Sequence, residues 1–142
     1  MATQEITIDN LDSTIDNNDI VFLDFWAGWC GPCKMFEPVF EKAAETHKDI
    51  VFGKIDTEAQ QEIAAALEIQ SIPTLMAFKG GTMVFSQPGA LPAAALEQVI
   101  AAVRDLDVEA AETAAEVGIG MTRVTPSEPD PDPARKSRGD GA

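Results

Sequence analysis

The hydrophobic and polar positions of the first 106 residues alternate between short apolar runs and amphipathic stretches. The run Ile20–Trp26 is apolar on both faces except at Asp24, which is typical of a central strand that is covered on both sides. Beyond Cys33, apolar side chains recur at helical spacing, namely Met35, Phe36, Val39, Phe40, Ala43 and Ala44. The predicted strands span residues 5–8, 20–26, 50–55, 74–79 and 82–86, and the predicted helices span residues 11–17, 33–48, 57–68 and 92–106.

The order of these elements, β-α-β-α-β-α-β-β-α, predicts an α/β fold. Helical crossovers between the early strands require those strands to be parallel, whereas the pair Gly80-Gly81 predicts a tight antiparallel hairpin at the end of the sheet. We therefore expect one domain over residues 1–106, with a mixed five-stranded sheet and helices on both faces. Residues 107–142 form an acidic extension with alternating prolines, which we expect to be largely disordered.

Composition and charge narrow the possible functions. The chain has 142 residues, of which 45% are hydrophobic, so it can bury a core. Its formal net charge of −14 repels nucleic acids and anionic membranes, and we expect it to bind neither. The N-terminus has no cationic start and no apolar run of the kind that targeting signals carry, so we expect the cytoplasm. Thiols are kept reduced there.

The chemistry of the chain is concentrated in the sequence Trp-Cys-Gly-Pro-Cys, which contains Cys30 and Cys33. Two thiols three positions apart lie within one helical turn and can close a disulfide with little backbone movement. The orphan N–H groups at a helix start stabilise a thiolate. We expect Cys30 to be exposed and to act as the nucleophile, and Cys33 to be shielded and to act second.

Two other interpretations of the cysteine pair compete with redox chemistry. A closed zinc site needs about four ligands, but the chain has two cysteines and one histidine, His47, far along the next helix. We expect His47 to be a solvated helix residue and no metal to be bound. An inert pair of buried thiols is the second alternative, and an exposed turn at Trp29–Pro32 disfavours it.

Four segments of the chain resemble the thioredoxin family. They are FLDFWAGWCGPCKMFEP at 22–38, GKID at 53–56, SIPTL at 71–75 and PGAL at 88–91. The resemblance covers roughly residues 4–106 and implies a thioredoxin fold and a protein-disulfide reductase that works by dithiol–disulfide exchange. It also implies that no cofactor is bound, that electrons come from NADPH through a thioredoxin reductase, and that disulfide-containing proteins are the substrates of a monomer.

The resemblance also assigns roles to individual residues. Asp24 matches the buried acid that takes the proton of the second cysteine, and Lys54 matches the lysine near that acid. The substrate-binding positions are Trp29, Gly31, Pro32, Ile72, Pro73, Gly89 and Ala90, with a cis bond before Pro73. Without the resemblance, Asp24 could be a structural aspartate, Lys54 a solvated strand end and Pro73 an ordinary trans proline.

Two further functions stay open on the sequence. A disulfide oxidant or isomerase would fit the cysteine pair, although Gly31-Pro32 between the cysteines is the thioredoxin form. A non-catalytic binding subunit that uses the same fold as a docking platform would give the acidic tail a role.

Overall fold

A computed structural model of the chain describes residues 2–107, so the expected disorder of 107–142 falls outside the described residues except at Asp107. Nine elements follow one another in the predicted order. The strands are β1 (Gln4–Glu5), β2 (Ile20–Trp26), β3 (Val51–Asp56), β4 (Thr74–Lys79) and β5 (Thr82–Pro88). The helices are α1 (Leu11–Asp16), α2 (Gly31–Thr46), α3 (Gln61–Ala66) and α4 (Ala93–Asp105).

The five strands form one mixed sheet in the order β1-β3-β2-β4-β5. Strands β1, β3 and β2 are parallel, and β4 and β5 run antiparallel to their neighbours, so the predicted fold class is confirmed. The β4–β5 hairpin turns at Gly80 and Gly81, which have φ angles of +59° and +84°. Side chains with a Cβ rarely adopt that region, which is why this turn carries two glycines.

Strand β2 lies at the centre of the sheet, and its alternate side chains feed two cores. Phe22 packs with α2 and α4, and its ring stacks on Phe52 at 5.6 Å between centroids. Val21, Leu23 and Phe25 point to the other face, against residues that include Ile63 of α3. Asp24 shares the face of Phe22, because alternate residues of a strand point the same way. The strand therefore aims a carboxylate at the layer that contains α2.

Strand β1 and helix α3 are shorter than their sequence patterns predict. β1 ends early because the N–H groups of Thr7 and Ile8 bond to side chains, Asn10 Oδ1 and Gln60 Oε1, instead of to a strand. Before α3, Asp56 Oδ1 accepts the N–H groups of Glu58 and Ala59, which makes a turn where helix was expected. Beyond α3, Glu68 adopts a φ of +58°, which ends the helical path.

Helix α2 begins two residues before the predicted start and contains Pro38 in its interior. Phe36 and Phe40 are buried, whereas Met35, which the pattern grouped with them at helical spacing, is 75% exposed. Met35 sits one position before Phe36, and adjacent positions on a helix lie about 100° apart. The apolar stripe is consequently narrower than the run of apolar letters.

Helix α4 packs Leu96, Val99, Ile100 and Val103 into the core, whereas Leu106, the last apolar position of the predicted helix, follows α4 as its C-cap and is partly buried. Its C-terminal end is held by Lys79 of β4, whose Nζ donates to the carbonyl oxygens of Val103, Arg104 and Leu106 at 2.9, 2.7 and 2.8 Å. The Val103 carbonyl also accepts the backbone N–H of Leu106, whereas the carbonyls of Arg104 and Leu106 lie at the helix end, where no further turn supplies an N–H donor. Within residues 2–107 no helix has the length and apolar character needed to cross a membrane.

Candidate redox site

Cys30 and Cys33 form a disulfide at the first turn of α2, with 5.2 Å between their Cα atoms. Cys30 is the N-cap residue of the helix, and its Sγ accepts the backbone N–H of Cys33 at 3.1 Å. Gly31 and Pro32 are the first two helical residues, and proline fits there because the N–H that it lacks has no helical acceptor. When the disulfide is open, the same N–H group and the helix dipole favour negative charge on Cys30 Sγ.

Exposure does not distinguish the two cysteines, contrary to the sequence-based expectation. Both are 4% exposed in the disulfide form, because Trp26, Ala27 and Ile72 pack around them. Their surroundings differ instead. Cys30 Sγ lies 3.8 Å from the carbonyl oxygen of Ile72, whereas Cys33 lines a cavity of about 100 Å³ that is partly open to solvent. The two sulfurs therefore differ in the groups that surround them and not in their exposure to solvent.

Asp24 lines the same cavity as Cys33 and is 1% exposed. Neither of its carboxylate oxygens has a hydrogen-bond partner among residues 2–107. Burial raises the pKa of Asp24 to about 7, the nearby Lys54 ammonium works against this shift, and the Glu37 carboxylate adds to it. An acid in this position exchanges protons near neutral pH, which a structural aspartate held by backbone donors would not do.

Lys54 is the cross-strand neighbour of Asp24 in the β2–β3 ladder, as the resemblance implied. Its ammonium, however, bonds to Glu37: Nζ donates to Glu37 Oε2 at 2.9 Å and lies 5.0 Å from the centroid of the Trp26 ring. The Lys54 side chain is 17% exposed and the Glu37 side chain is 52% exposed. The pair thus stands at the boundary between the cavity and solvent.

Of the predicted substrate-binding residues, Trp29, Gly31 and Pro32 adjoin the cysteines in sequence, and Ile72 packs against them. The peptide bond between Ile72 and Pro73 is cis, as expected, and Pro73 is buried. Gly89, with a φ of +104°, donates its N–H to the Pro73 carbonyl at 2.7 Å, so the segment before α4 is tied to the cis-proline loop. Gly31, Pro32 and Ala90 are exposed.

Trp29 is 70% exposed, and its indole Nε1 donates to Glu58 Oε2 at 3.3 Å. Neither Glu58 nor Glu37 was predicted from the sequence to be a site residue. Glu37 could have been found, because it lies four residues after Cys33 and therefore on the same face of α2. Glu58 could not, because it reaches Trp29 from a turn that was predicted to be helix.

His47 is not a solvated helix residue, so that expectation was wrong. It is the C-cap of α2 and its side chain is 17% exposed. Its Nε2 lies 2.8 Å from Glu97 Oε1, and its Nδ1 lies 3.0 Å from an Arg104 nitrogen. Within residues 2–107, no three His, Cys, Asp or Glu side chains are grouped so as to hold a metal ion.

Comparison with known proteins gives consistent results. The family model described as Thioredoxin matches residues 2–102. A Streptomyces coelicolor protein named "Putative thioredoxin 2" is 57% identical over 108 residues, which cover 76% of this chain and 81% of the relative.

Solved structures agree with the sequence matches. A mutant thioredoxin from Halobacterium salinarum NRC-1 superposes with a TM-score of 0.69 at 36% identity, over 74% of this chain and 93% of that one. A chain from work on the thiol resolving mechanism in yeast mitochondrial 1-Cys peroxiredoxin via glutathione/thioredoxin systems gives 0.65 at 31% identity, over 73% and 95%. With the disulfide of Cys30 and Cys33 at the start of α2, these matches show that the chain belongs to the thioredoxin family and is a thiol-disulfide oxidoreductase that reduces protein disulfides.

Proposed function

We propose that Cys30 is the attacking nucleophile, that Cys33 is the resolving thiol, and that Asp24 accepts and returns the proton of Cys33. The observation that carries this assignment is the different setting of the two sulfurs. Cys30 Sγ receives an N–H at the tip of α2, whereas Cys33 faces the cavity that contains the unpartnered Asp24 carboxylate.

The reaction proceeds in two exchanges. The Cys30 thiolate attacks one sulfur of a substrate disulfide, forms a mixed disulfide with it and releases the other substrate sulfur as a thiolate. Cys33 then loses its proton to Asp24 and attacks Cys30 Sγ, which expels the second substrate sulfur as a thiolate. The two substrate thiolates take up protons, the substrate gains two electrons, and the chain is left with the Cys30–Cys33 disulfide.

Asp24 suits this proton transfer because its basicity is close to that of a thiol. A carboxylate with an ordinary pKa is a weak base toward a cysteine, whereas a pKa of about 7 brings the two groups closer together. Asp24 and Cys33 line one cavity of about 100 Å³, which has room for bridging water between them. The buried acid and the resolving thiol therefore form one functional unit.

Substrate binding is proposed for the surface around the disulfide. Trp29 presents its exposed ring, and the Ile72 backbone beside Cys30 can pair with an extended substrate segment as an added strand. Gly31, Pro32, Gly89 and Ala90 extend this surface with small or flat groups that let a substrate backbone approach closely. Pro73 is buried behind this surface, and its carbonyl accepts the N–H of Gly89.

We propose a reducing compartment, the cytoplasm, as the place of action, since a reductase must itself be kept reduced. A flavoenzyme thioredoxin reductase that uses NADPH would supply the electrons, with no cofactor bound to this chain. The substrates would be disulfide-containing proteins, and a peroxiredoxin is one candidate class in view of the 31% identical structural relative. The net charge of −14 opposes self-association and supports a monomer.

The experiment is the reduction of insulin, coupled to NADPH and a thioredoxin reductase, with Cys30→Ser and Cys33→Ser compared with the wild type. We expect Cys30→Ser to abolish turnover, because no sulfur remains that can attack the substrate. Cys33→Ser should make one attack and then stop as a mixed disulfide, which non-reducing electrophoresis and mass spectrometry detect.

A variant in which serine replaces both cysteines is the control for non-specific effects. Full turnover by Cys30→Ser would overturn the assignment of the nucleophile. Mixed disulfides that accumulate on Cys33 of the Cys30→Ser variant, instead of on Cys30 of the Cys33→Ser variant, would reverse the two roles.

A further inference from the structure

The Lys54 ammonium shares one cavity with two carboxylates, the buried Asp24 and the exposed Glu37, and it donates its hydrogen bond to Glu37. Lys54 stands opposite Asp24 in the β2–β3 register, and both residues line the cavity beneath the disulfide. Its Nζ nevertheless donates to Glu37 Oε2 at 2.9 Å, while neither oxygen of Asp24 has a partner among residues 2–107. A buried, unpaired carboxyl beside a cation is an uncommon arrangement, since buried charges are ordinarily paired.

We propose that Glu37 is a positioning residue of the exchange reaction: its carboxylate holds the Lys54 ammonium at the mouth of the cavity and so keeps Asp24 unpaired. The inference rests on the proposed role of Asp24 as the proton acceptor of Cys33. Glu37 does not touch the reacting sulfurs in this scheme and acts only through Lys54 and through its own charge.

The surroundings of Asp24 leave Glu37 as its single acidic neighbour in the cavity. The ionisable groups of residues 2–107 that line this cavity with Asp24 are Lys54 from β3 and Cys33, Lys34 and Glu37 from α2. On the β4 side Asp24 is paired in register with Leu75, which carries no charge. Cys33 is bound in the disulfide, so the local balance is set by two cations and one anion.

The charges around Asp24 set both its strength as a base and the fraction of it that is ionised at a given pH, and a change that increases one decreases the other. The negative charge of Glu37 raises the pKa of Asp24, while Lys54 lowers it. A raised pKa makes the carboxylate a stronger base toward Cys33, but it reduces the fraction that is ionised at low pH. Removal of the Glu37 charge should therefore speed the resolving step at acidic pH and slow it at alkaline pH, which a merely structural change would not do.

The direct test is the pKa of Asp24, measured by ¹³C NMR of its carboxyl carbon in the oxidised full-length chain. Glu37→Gln keeps an oxygen acceptor for Lys54 and removes only the charge, so the pKa should fall by about half a unit or more. Glu37→Ala also releases Lys54 toward Asp24, so the fall should be larger. Lys54→Met should raise the pKa above its wild-type value.

Glu45→Gln is the matched control, because Glu45 is an exposed acid on the same helix and does not line the cavity. The Asp24 pKa should be unchanged in this variant. The inference would be overturned if the pKa of Asp24 in both Glu37→Gln and Glu37→Ala equalled the wild-type value. It would also be overturned if the pKa fell by the same amount in Glu45→Gln.

The second readout is the rate at which a preformed mixed disulfide on Cys30 is resolved, followed from pH 5 to pH 9. We expect the Glu37→Gln profile to shift to lower pH by the same amount as the Asp24 pKa, with a lower plateau at high pH. An unshifted profile together with a shifted pKa would overturn the role of Glu37 in the reaction. If Asp24→Asn also resolved at the wild-type rate, the proposed role of Asp24 itself would fail, which separates the two outcomes.

Discussion

A charged cluster lies near each end of helix α2, and each cluster contains an aspartate. The pKa of the aspartate is raised in one cluster and lowered in the other. Near the N-terminal end, the cavity cluster of Asp24, Lys54 and Glu37 leaves a buried carboxyl without a hydrogen bond, and burial raises its pKa to about 7. Beyond the C-terminal end, the Arg104 guanidinium donates two hydrogen bonds to Asp49, at 2.7 and 3.0 Å, and its bonding lowers the pKa of Asp49 to about 2.

In the second cluster, each of the four side chains makes at least one hydrogen bond. A guanidinium has donors only, so the bond of Arg104 to His47 makes His47 Nδ1 the acceptor. In the neutral ring the proton is then on Nε2, which donates to Glu97 at 2.8 Å. This C-terminal cluster, formed by His47, Asp49, Glu97 and Arg104, joins the end of α2 to α4 through these hydrogen bonds.

The two clusters differ in whether their aspartate can change its charge near neutral pH: Asp24 can, and Asp49 cannot. Asp49 stays ionised throughout the physiological range, so it can only hold the structure together. Asp24 is destabilised when ionised and can gain or lose a proton near pH 7 at little cost in free energy. Burial without a hydrogen-bond partner, beside Cys33, is therefore the physical property that sets Asp24 apart from Asp49.

The largest expected effect is that of Asp24→Asn on stability. Because the pKa of Asp24 is raised from 3.8 to about 7, the folded state keeps a proton that the unfolded state loses. Stability therefore falls as the pH rises from about 4 to about 7, and the full cost, about 4 kcal/mol as an upper bound, is present above pH 7. The neutral Asn removes this cost, so urea unfolding at pH 8 should show a more stable variant.

The same variant should approach the stability of the wild type below about pH 3, where Asp24 is mostly protonated in both the folded and the unfolded chain. Its resolving step should slow by at least tenfold at pH 7, because the proton acceptor is lost. A variant that is less stable than the wild type at pH 8 would contradict the view that Asp24 is held in an unfavourable charged state.

An intermediate effect is expected for Lys79→Met, which removes the donor to three carbonyls at the end of α4. The loss should be about 1–3 kcal/mol, the usual cost of leaving part-buried polar groups unsatisfied. Redox turnover should be unaffected, since this end of the fold is remote from the disulfide in the sheet. Lys48→Met, at an exposed lysine, is the control for loss of a positive charge; an equal loss there would show that Lys79 contributes only its charge.

The sequence predicted the regular parts of this fold well and the polar contacts poorly. The strand Ile20–Trp26, the hairpin at Gly80-Gly81 and the stripe of α4 follow from periodicity and turn chemistry, which depend on residues that are close in sequence. The start of α3 did not follow, because side-chain bonds of Asp56 replace helical ones. Such competition between a side chain and the backbone is not visible in a hydrophobic pattern.

The candidate site also has residues that the sequence predicted and contacts that it did not. Cys30 and Cys33 could be predicted from their spacing, and Asp24 from a charge within an apolar strand. The partners of Glu37 and of His47 could not be derived, because they depend on contacts across 17 and 57 residues of sequence separation. Likewise the equal burial of both cysteines arises from the packing of Ile72, which is 42 residues away from Cys30.

The smallest expected effect is that of Asp49→Asn, and its sign is opposite to that of Asp24→Asn. A lowered pKa means that Asp49 stabilises the fold above about pH 4 and that this contribution is lost as the pH falls toward 2. The variant should therefore be slightly less stable than the wild type at pH 7. Most of the difference should be lost at pH 2, and it should shrink in about 1 M NaCl, since the pair is exposed and screened. Thermal unfolding followed by circular dichroism, with Asp9→Asn as an exposed control, measures this difference. Stabilisation by Asp49→Asn at neutral pH would show that both aspartates are strained, and the contrast between the two ends of α2 would then no longer identify the functional one.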